Sequence, residues 1–201
     1  MQKSLSSHED LESAAKLFIK NRDKKPGGVF LHAVHRLDKP VSGIALFAKT
    51  KKALTRLNES IRKGLFKKTY YAALEGTLNE EGTLEHYLFH GDFRAIVSTS
   101  PKEGYKKAIL NYKVLKTTLT KTLVEIDLIS GRYHQIRAQF SHISHPVVFD
   151  EKYGSKTTGD YEGILLHHGK LTFPHPVKEE MMTIESELPR EFMRTQVLTK
   201  I

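Results

Sequence analysis

The chain has 201 residues, of which 39% are hydrophobic and 27% are charged, as in an ordinary globular domain. This length suits one domain with its own hydrophobic core. The absence of cysteine excludes disulfides, thiolate metal sites and cysteine nucleophiles. No apolar run approaches the ~20 residues of a membrane span, and the polar segment Met1–Ser7 lacks the apolar stretch of a secretory signal.

The positive charge is concentrated in one part of the chain. The formal net charge is +9, and the segment Lys49–Lys68 contains eight basic residues against a single acidic one, Glu59. Such a cluster is typical of a surface that binds phosphates or another anionic partner. A helix with a solvated basic face gives the same pattern, so the charge alone leaves both interpretations open.

Periodicity and capping signals predict the first elements of the chain. Apolar residues at helical spacing predict a helix over Glu9–Lys20. The segment Gly43–Ala48 is predicted to be a strand. A second helix is predicted from Lys51 to Lys63, because Thr50 suits its N-cap and Gly64 suits its end.

The rest of the chain mixes strands with a further helix. Strands are predicted over Lys68–Leu74, Ala108–Lys116 and Leu123–Ile129. Apolar residues then recur at helical spacing, which predicts a helix over His134–Ile143 that faces a sheet, and Ile164–Phe173 returns to extended structure. This mixture predicts an α+β fold: a single domain over the whole chain, with a bent mixed or antiparallel sheet and flanking helices.

The segment His35–Gly43 (HRLDKPVSG) places an aspartate, Asp38, between a loop and a predicted strand. An aspartate beside proline and glycine is commonly an Asx-turn residue, so a structural role is the first interpretation of this segment by itself. Four further segments of unusual composition change that balance; they are Lys68–Tyr70, Gly131–Arg137, Asp150–Gly154 and Leu166–Pro176.

Together these five segments resemble the signature motifs of RluA-type pseudouridine synthases. His35–Gly43 is similar to H-R-L-D-x-x-T-S-G, Lys68–Tyr70 to K-x-Y, and Gly131–Arg137 to G-R-x-H-Q-I/L-R. Asp150–Gly154 is similar to D-x-x-Y-G, and Leu166–Pro176 to L-H-x-x-x-L-x-F-x-H-P. One short motif arises easily by chance, whereas five in the family's order identify the chain as a member.

The resemblance implies roles for four residues. Asp38 matches the catalytic aspartate, which attacks the target nucleoside or promotes glycal formation; either way the glycosidic bond is cleaved, the uracil rotates, and it is rejoined through carbon. Tyr70 matches the tyrosine that stacks on the uracil and is the favoured general base. Arg137 matches the arginine that pairs with the catalytic carboxylate and favours its charged form. Arg36 matches the side chain that fills the space of the flipped base, since a stacked base cannot present its glycosidic bond.

Four more residues of these motifs, Lys68, Arg132, His134 and Gln135, are expected to contact the RNA around the flipped base. For His134 and Gln135, bracing of the active-site loops is the more ordinary interpretation. The implied isomerisation is redox-neutral, so we expect no cofactor.

The eleven histidines invite an alternative interpretation as a metal site. The two candidate pairs have no evident carboxylate and third ligand in a recognised arrangement, so we expect no metal. These pairs are His142 with His145, and His167 with His168.

The chain departs from the family pattern in three places. Val41 stands where a threonine is usual, and Phe149 stands where a glycine is usual before Asp150. Relatives also carry a strand pair with a Lys-Pro-x-Gly turn well before the H-R-L-D segment. Lys25–Gly28 has this spelling but lies too close to His35, so we expect the N-terminal strands, and a separate N-terminal RNA-binding module, to be missing.

The sequence thus predicts a monomeric, cytoplasmic RNA pseudouridine synthase that isomerises a specific uridine in rRNA or tRNA. RNA is its expected partner, and no membrane association is expected. One rival is a non-catalytic RNA-binding module that has kept the fold; the intact set of Asp38, Tyr70 and Arg137 argues against it. The other is a metal-dependent hydrolase built on the histidines.

Overall fold

The computed structural model describes residues 11–78 and 81–194. No helix in these ranges is long and apolar enough to cross a membrane. A 3₁₀ turn covers Glu151–Tyr153. In chain order the helices and strands are α1 (Leu11–Arg22), β1 (His32–Ala33), β2 (Ser42–Gly43), β3 (Phe47–Ala48), α2 (Lys51–Arg62), β4 (Lys67–Glu75), β5 (Glu81–His90), β6 (Ala95–Ser98), β7 (Lys106–Thr117), β8 (Lys121–Leu128), α3 (Gln135–His142), β9 (Leu166–Pro174), β10 (Met181–Glu185) and α4 (Arg190–Arg194).

Most of the strands belong to one eight-stranded mixed sheet. Its order is β10-β9-β4-β8-β7-β5-β6, and β2 pairs with β9. The pairing of β2 with β9 is parallel, whereas β4 runs antiparallel to β8 and β9, and β7 runs antiparallel to β5 and β8. Strands β1 and β3 form a separate antiparallel pair. The predicted α+β class with a mixed sheet is therefore confirmed.

The described chain divides into two compact units. The first contains α1, β1, β3 and α2 and comprises residues 11–36, 45–65 and 174–180. The second contains the eight-stranded sheet with α3 and α4 and comprises residues 37–44, 66–173 and 181–194. The single domain over residues 1–201 stays a prediction.

Helix α2 has both of the ends that its sequence predicts. The Thr50 hydroxyl accepts a hydrogen bond from the Ala53 backbone N–H at 3.1 Å, which caps the N-terminus. At the other end Gly64 adopts a positive φ of 71°, and the N–H of Leu65 donates to the Ser60 carbonyl at 3.0 Å. This is the Schellman arrangement that glycine permits without strain.

The other two predicted helices are also present. The prediction over Glu9–Lys20 corresponds to α1, which runs to Arg22, while Glu9 and Asp10 lie outside the described residues. The prediction over His134–Ile143 corresponds to α3. Ile136 and Phe140 of α3 are buried in the main core cluster, so this helix faces the sheet as its periodicity predicts.

The predicted single strand over Gly43–Ala48 is wrong. Its first residue belongs to β2, which pairs with β9 of the large sheet, and its last two residues form β3, which pairs with β1. The extended path is interrupted because Gly43 adopts a φ of 115°. A Cβ on Gly43 would lie 2.3 Å from the His168 carbonyl oxygen, so only glycine permits this close approach of two backbones.

The side chains of strand β4 alternate between the two faces of the sheet. Ala72 and Leu74 point into the core cluster that contains Phe140 of α3. Ala73 points into the cluster on the opposite face, as alternation along a strand requires. Tyr70 therefore shares the α3 face, while Tyr71 packs on the opposite face.

Phe149 occupies the position at which glycine is usual in the family. Its φ is 68°, in the left-handed region that side chains with a Cβ disfavour. The ring packs against Tyr161, with centroids 5.7 Å apart. A conformation suited to glycine is thus held here by a phenylalanine, and the ring contact offsets part of the strain.

The strain at Phe149 can be measured by comparing two substitutions. Both Phe149→Ala and Phe149→Gly remove the ring, but only glycine also removes the Cβ that the left-handed backbone disfavours. We expect Phe149→Gly to be more stable than Phe149→Ala by about 1 kcal/mol in urea unfolding. At Leu115, an exposed strand residue, the same comparison should favour alanine. A less stable glycine variant at residue 149 would contradict the assignment.

Candidate active site

Asp38 lies in a tight turn that leads into β2. The Val41 N–H donates to the Asp38 carbonyl oxygen at 2.9 Å. The Asp38 carboxylate is 19% exposed, and its Oδ2 lies 3.3 Å from Arg137 Nη1 and 3.5 Å from His134 Nε2. The carboxylate of Asp38 thus contacts two side chains of the G-R-x-H-Q-I/L-R motif, which favours a functional role over an Asx turn.

Arg137 is held mainly by a second carboxylate, that of Asp150. Its Nε and Nη2 donate to the two Asp150 oxygens at 2.7 and 2.8 Å. The two side chains are only 4% and 1% exposed. Burial lowers the pKa of Arg137, but the hydrogen bonds and charges of Asp150 and Asp38 outweigh it and raise the pKa above its usual value. Arg137 therefore stays charged, in a fixed bidentate geometry, with Nη1 directed at Asp38.

The loop that carries Asp150 is anchored to the end of β4. Glu75 Oε1 accepts hydrogen bonds from the Ser155 hydroxyl at 2.7 Å and from the Thr157 N–H at 2.8 Å. The Lys156 N–H donates to the same oxygen at 2.9 Å. Burial raises the pKa of Glu75, but these hydrogen bonds outweigh it and lower the pKa overall. Glu75 thus stays charged and fixes the segment that follows Asp150.

His134 approaches Asp38 from the N-terminus of α3. Its φ of 51° is left-handed, a conformation that histidine adopts more readily than most residues. Nδ1 lies 2.9 Å from the Tyr153 hydroxyl, which accepts the Ala95 N–H at 2.7 Å. Burial lowers the pKa of His134 to about 4, helped by Arg137 and opposed by the charge of Asp38. His134 is therefore neutral near pH 7.

Tyr153 supports both Arg137 and His134. The Arg137 guanidinium carbon lies 4.9 Å from the centroid of the Tyr153 ring, a cation–π contact. Burial raises the pKa of Tyr153 to about 12, so the phenol keeps its proton. This proton can be donated to His134 Nδ1, which places the imidazole proton on Nε2, facing Asp38.

Tyr70 lies on β4 in the same unit and stacks on His168. The two ring centroids are 4.5 Å apart and the ring planes differ by 14°. His168 is buried, and its Nδ1 donates to the Ile44 carbonyl oxygen at 2.8 Å. Burial, together with the negative charge of Asp38, raises the pKa of the Tyr70 phenol. Tyr70 is therefore a neutral ring with one face covered by His168.

The two other polar residues predicted after Gly131 occupy different environments. Gln135 is 3% exposed; its Oε1 accepts from the Ser130 hydroxyl at 2.9 Å and the Arg132 N–H at 3.0 Å. Its Nε2 donates to the Ile109 carbonyl at 3.0 Å, so Gln135 braces the loop. Arg132 is exposed, with its Nε bonded to the Lys107 carbonyl at 2.9 Å.

Lys68 and Arg36 complete the predicted set. The Lys68 amine lies 3.8 Å from the position that a Cβ on Gly131 would occupy, beside the loop before α3. Burial lowers the pKa of Lys68. Arg36 is exposed and belongs to the first unit, whereas Asp38, Tyr70, Arg137 and His134 all belong to the second.

Comparison with known proteins places this chain in a family. A family model described as RNA pseudouridylate synthase matches residues 2–142. The chain belongs to the RNA pseudouridylate synthase family. The resemblance drawn from the five motifs is thereby confirmed.

Several relatives of this family have names that state an RNA modification. Ribosomal large subunit pseudouridine synthase C of Vibrio cholerae is 32% identical over 187 residues, covering 90% of this chain and 58% of that protein. An uncharacterized RNA pseudouridine synthase of Bacillus subtilis is 35% identical over 160 residues, covering 79% and 52%. Ribosomal large subunit pseudouridine synthase D of Haemophilus influenzae is 30% identical, covering 80% and 53%. The chain spans little more than half the length of these relatives.

Solved structures of pseudouridylate synthases share the fold. Human RNA pseudouridylate synthase domain containing 4 has a TM-score of 0.76 at 22% identity, covering 90% of this chain and 79% of that chain. Human RNA pseudouridylate synthase domain containing 1 has a TM-score of 0.70 at 24% identity, covering 85% and 73%. At this identity the likeness supports the α+β fold.

The sequence left the partners of Arg137 and Tyr70 incomplete. The motifs include Asp150 and His168, but the sequence assigns neither of them a role in the site. The available signal for Asp150 was its position in D-x-x-Y-G, next to a position where glycine is usual and where the backbone has a positive φ. Within the described residues, no group of three histidine, aspartate or glutamate side chains is arranged to hold a metal.

The neutral state of His134 predicts a specific dependence of stability on pH. In the unfolded chain His134 binds a proton below pH ~6.5, whereas in the folded protein it does so only near pH 4. Stability should therefore fall as the pH drops through this window. His134→Asn tolerates the left-handed backbone, and it should reduce that loss by about 1–3 kcal/mol in urea unfolding. The exposed His90→Asn is the control; identical pH dependence in both variants would contradict a buried neutral His134.

Proposed function

We propose that this chain is an RNA pseudouridine synthase that isomerises a uridine of ribosomal RNA, with Asp38 as its catalytic carboxylate. Family membership supports the activity, and the names of its relatives in Vibrio cholerae and Haemophilus influenzae favour ribosomal RNA over transfer RNA. The observation that carries the proposal is the arrangement of Asp38, Arg137 and Asp150, in which a charged arginine is fixed beside a partly exposed carboxylate.

Asp38 is suited to attack because only one of its oxygens is engaged. Oδ2 faces Arg137 and His134, while no described residue hydrogen-bonds to Oδ1. A carboxylate whose charge is maintained by an arginine can act as a nucleophile or as a base toward a bound nucleoside. Both routes, attack on the nucleoside and formation of a glycal, lead to cleavage of the glycosidic bond and reattachment of the uracil through carbon.

Tyr70 supplies a flat neutral ring beside Asp38. Its contact with His168 supports a stacking role toward the uracil, because the pairing favours one orientation of the Tyr70 ring. The raised pKa means that the phenol is protonated before substrate binds. A general-base role for Tyr70 therefore requires that its own proton first leave, and this role stays a prediction.

The target base must leave its stack before Asp38 can reach the ribose. Arg36 is exposed and lies two residues before Asp38 in the sequence. Both features suit a side chain that replaces the extruded base. Helix α2 of the first unit and its C-cap residue expose basic side chains suited to phosphate contacts; these are Lys51, Lys52, Arg56, Arg62 and Lys63. Cytoplasmic location and a monomeric state stay predictions.

The direct test of this function is Asp38→Asn. The substitution keeps the size of the side chain and removes the charge on which either route depends. We expect pseudouridine formation on unmodified ribosomal RNA transcripts, followed by tritium release from 5-tritiated uridine, to fall at least 1000-fold, on the order expected for loss of a covalent catalyst. RNA affinity should stay within about threefold, since the charge acts on the reaction step.

The matched control is Asp127→Asn, which removes an exposed carboxylate from β8. This variant should react at the rate of the unchanged chain. Pseudouridine formation by Asp38→Asn at a comparable rate would end the proposal, and it would favour the rival in which the fold serves only to bind RNA.

A further inference from the structure

A row of aromatic rings extends from His134 across the end of β5. Tyr133 stacks on His134 with centroids 3.8 Å apart, and His90 lies 3.9 Å from Tyr133. Successive strand residues point to opposite faces, so the neighbouring residue Phe89 pairs instead with Tyr105, which precedes β7, with centroids 5.4 Å apart. Because His134 Nε2 is 3.5 Å from Asp38 Oδ2, the row begins at the carboxylate of the site.

A cavity of about 370 Å³ opens among these rings. Phe89, His90 and Tyr133 line it together with the cations Lys106 and Arg132. Phe89 is 40% exposed and His90 is also exposed, so their rings are accessible. The volume lies within the range of pockets that hold small ligands. We call it the Phe89–Tyr133 cavity.

The charges around this cavity favour an anionic ligand. The backbone of Lys107 fixes Arg132 through Nε, and no described residue bonds to its terminal nitrogens. Glu85 is neutralised by Lys107 at 2.7 Å. Glu103 is exposed in the turn before Tyr105, but no carboxylate from the described part of the chain lines the cavity. Two cations and the exposed rings of Phe89 and His90 therefore border the same space.

We propose that the Phe89–Tyr133 cavity holds a nucleotide adjacent to the target uridine, with its base against the rings and its phosphate near Lys106 and Arg132. The inference rests on the proposed function, and it assigns a substrate-binding subsite beside the reacting carbon. A nucleotide next to an extruded base loses one stacking partner, and an aromatic ring close to Asp38 replaces that partner. Stacking on aromatic rings accepts any base, so this subsite binds without strict sequence preference.

The test compares two double variants that lose the same kinds of side chain. Phe89→Ala with Lys106→Ala alters the cavity. The control, Leu119→Ala with Lys113→Ala, removes a 98% exposed apolar side chain and a lysine. Lys113 lies on the same strand as Lys106, β7. The probe is a fluorescein-labelled oligouridylate, and its affinity is measured by fluorescence anisotropy over a series of salt concentrations.

We expect the cavity variant to bind the oligouridylate about tenfold more weakly, as for loss of one stacked base. The slope of log affinity against log salt should also decrease by about 0.7, the value for one phosphate contact on a single strand. The control variant should bind within twofold of the unchanged chain. A second cavity variant, Phe89→Leu with Lys106→Gln, keeps the side-chain bulk and should show the same losses. It replaces the first variant if the first does not fold.

Equal affinities of the cavity and control variants would overturn the inference, as would failure of the unchanged chain to bind the oligouridylate. A protein partner in this cavity would produce the first of these results. Pseudouridine formation is scored separately on ribosomal RNA transcripts. If the unchanged chain binds the oligouridylate through the cavity but forms no pseudouridine, the proposed function fails and the nucleotide site stands.

Discussion

The site depends on one buried guanidinium. Arg137 is 4% exposed, and a charge at this burial is tolerated mainly because Asp150 binds it through two hydrogen bonds. Asp38 makes the longer, single contact at 3.3 Å. The strong pairing therefore satisfies the arginine, while Asp38 receives its electrostatic support and keeps one oxygen for the substrate. Removal of one partner from such a buried pair typically costs about 3–5 kcal/mol.

Three distant segments must meet for this arrangement to form. The close backbone approach at Gly43 joins the turn of Asp38 to β9. Helix α3 packs on the sheet through its apolar face and places Arg137 beside Asp38. The loop with Asp150 is held by Glu75 at the end of β4. Each segment is therefore fixed by the large sheet, which explains how residues 99 positions apart in sequence are placed within hydrogen-bonding distance.

Elements with strong local signals could be predicted from the sequence, and elements defined by their neighbours could not. Both ends of helix α2 are indicated in the sequence by its capping residues, Thr50 and Gly64. Strand β5 was missed because His86 occupies one of its buried positions, so its alternation is obscured, and β10 was missed because its residues are mostly exposed. The motifs predicted that Arg137 pairs with Asp38. The D-x-x-Y-G motif marks Asp150 as well, but it does not show that Asp150 is the main partner of Arg137, because that contact depends on how the loop packs against α3.

The most direct measurement is the turnover of Asp150→Asn, compared with Glu75→Gln. Both substitutions loosen the same loop, but only Asp150 touches Arg137. If Arg137 must be held in place to support Asp38, Asp150→Asn should lower kcat for pseudouridine formation at least tenfold with KM within threefold, at a temperature where both variants are folded. Glu75→Gln should lose stability while keeping kcat within twofold of the unchanged chain. An Asp150→Asn enzyme with unchanged kcat would show that Asp38 works without a fixed Arg137.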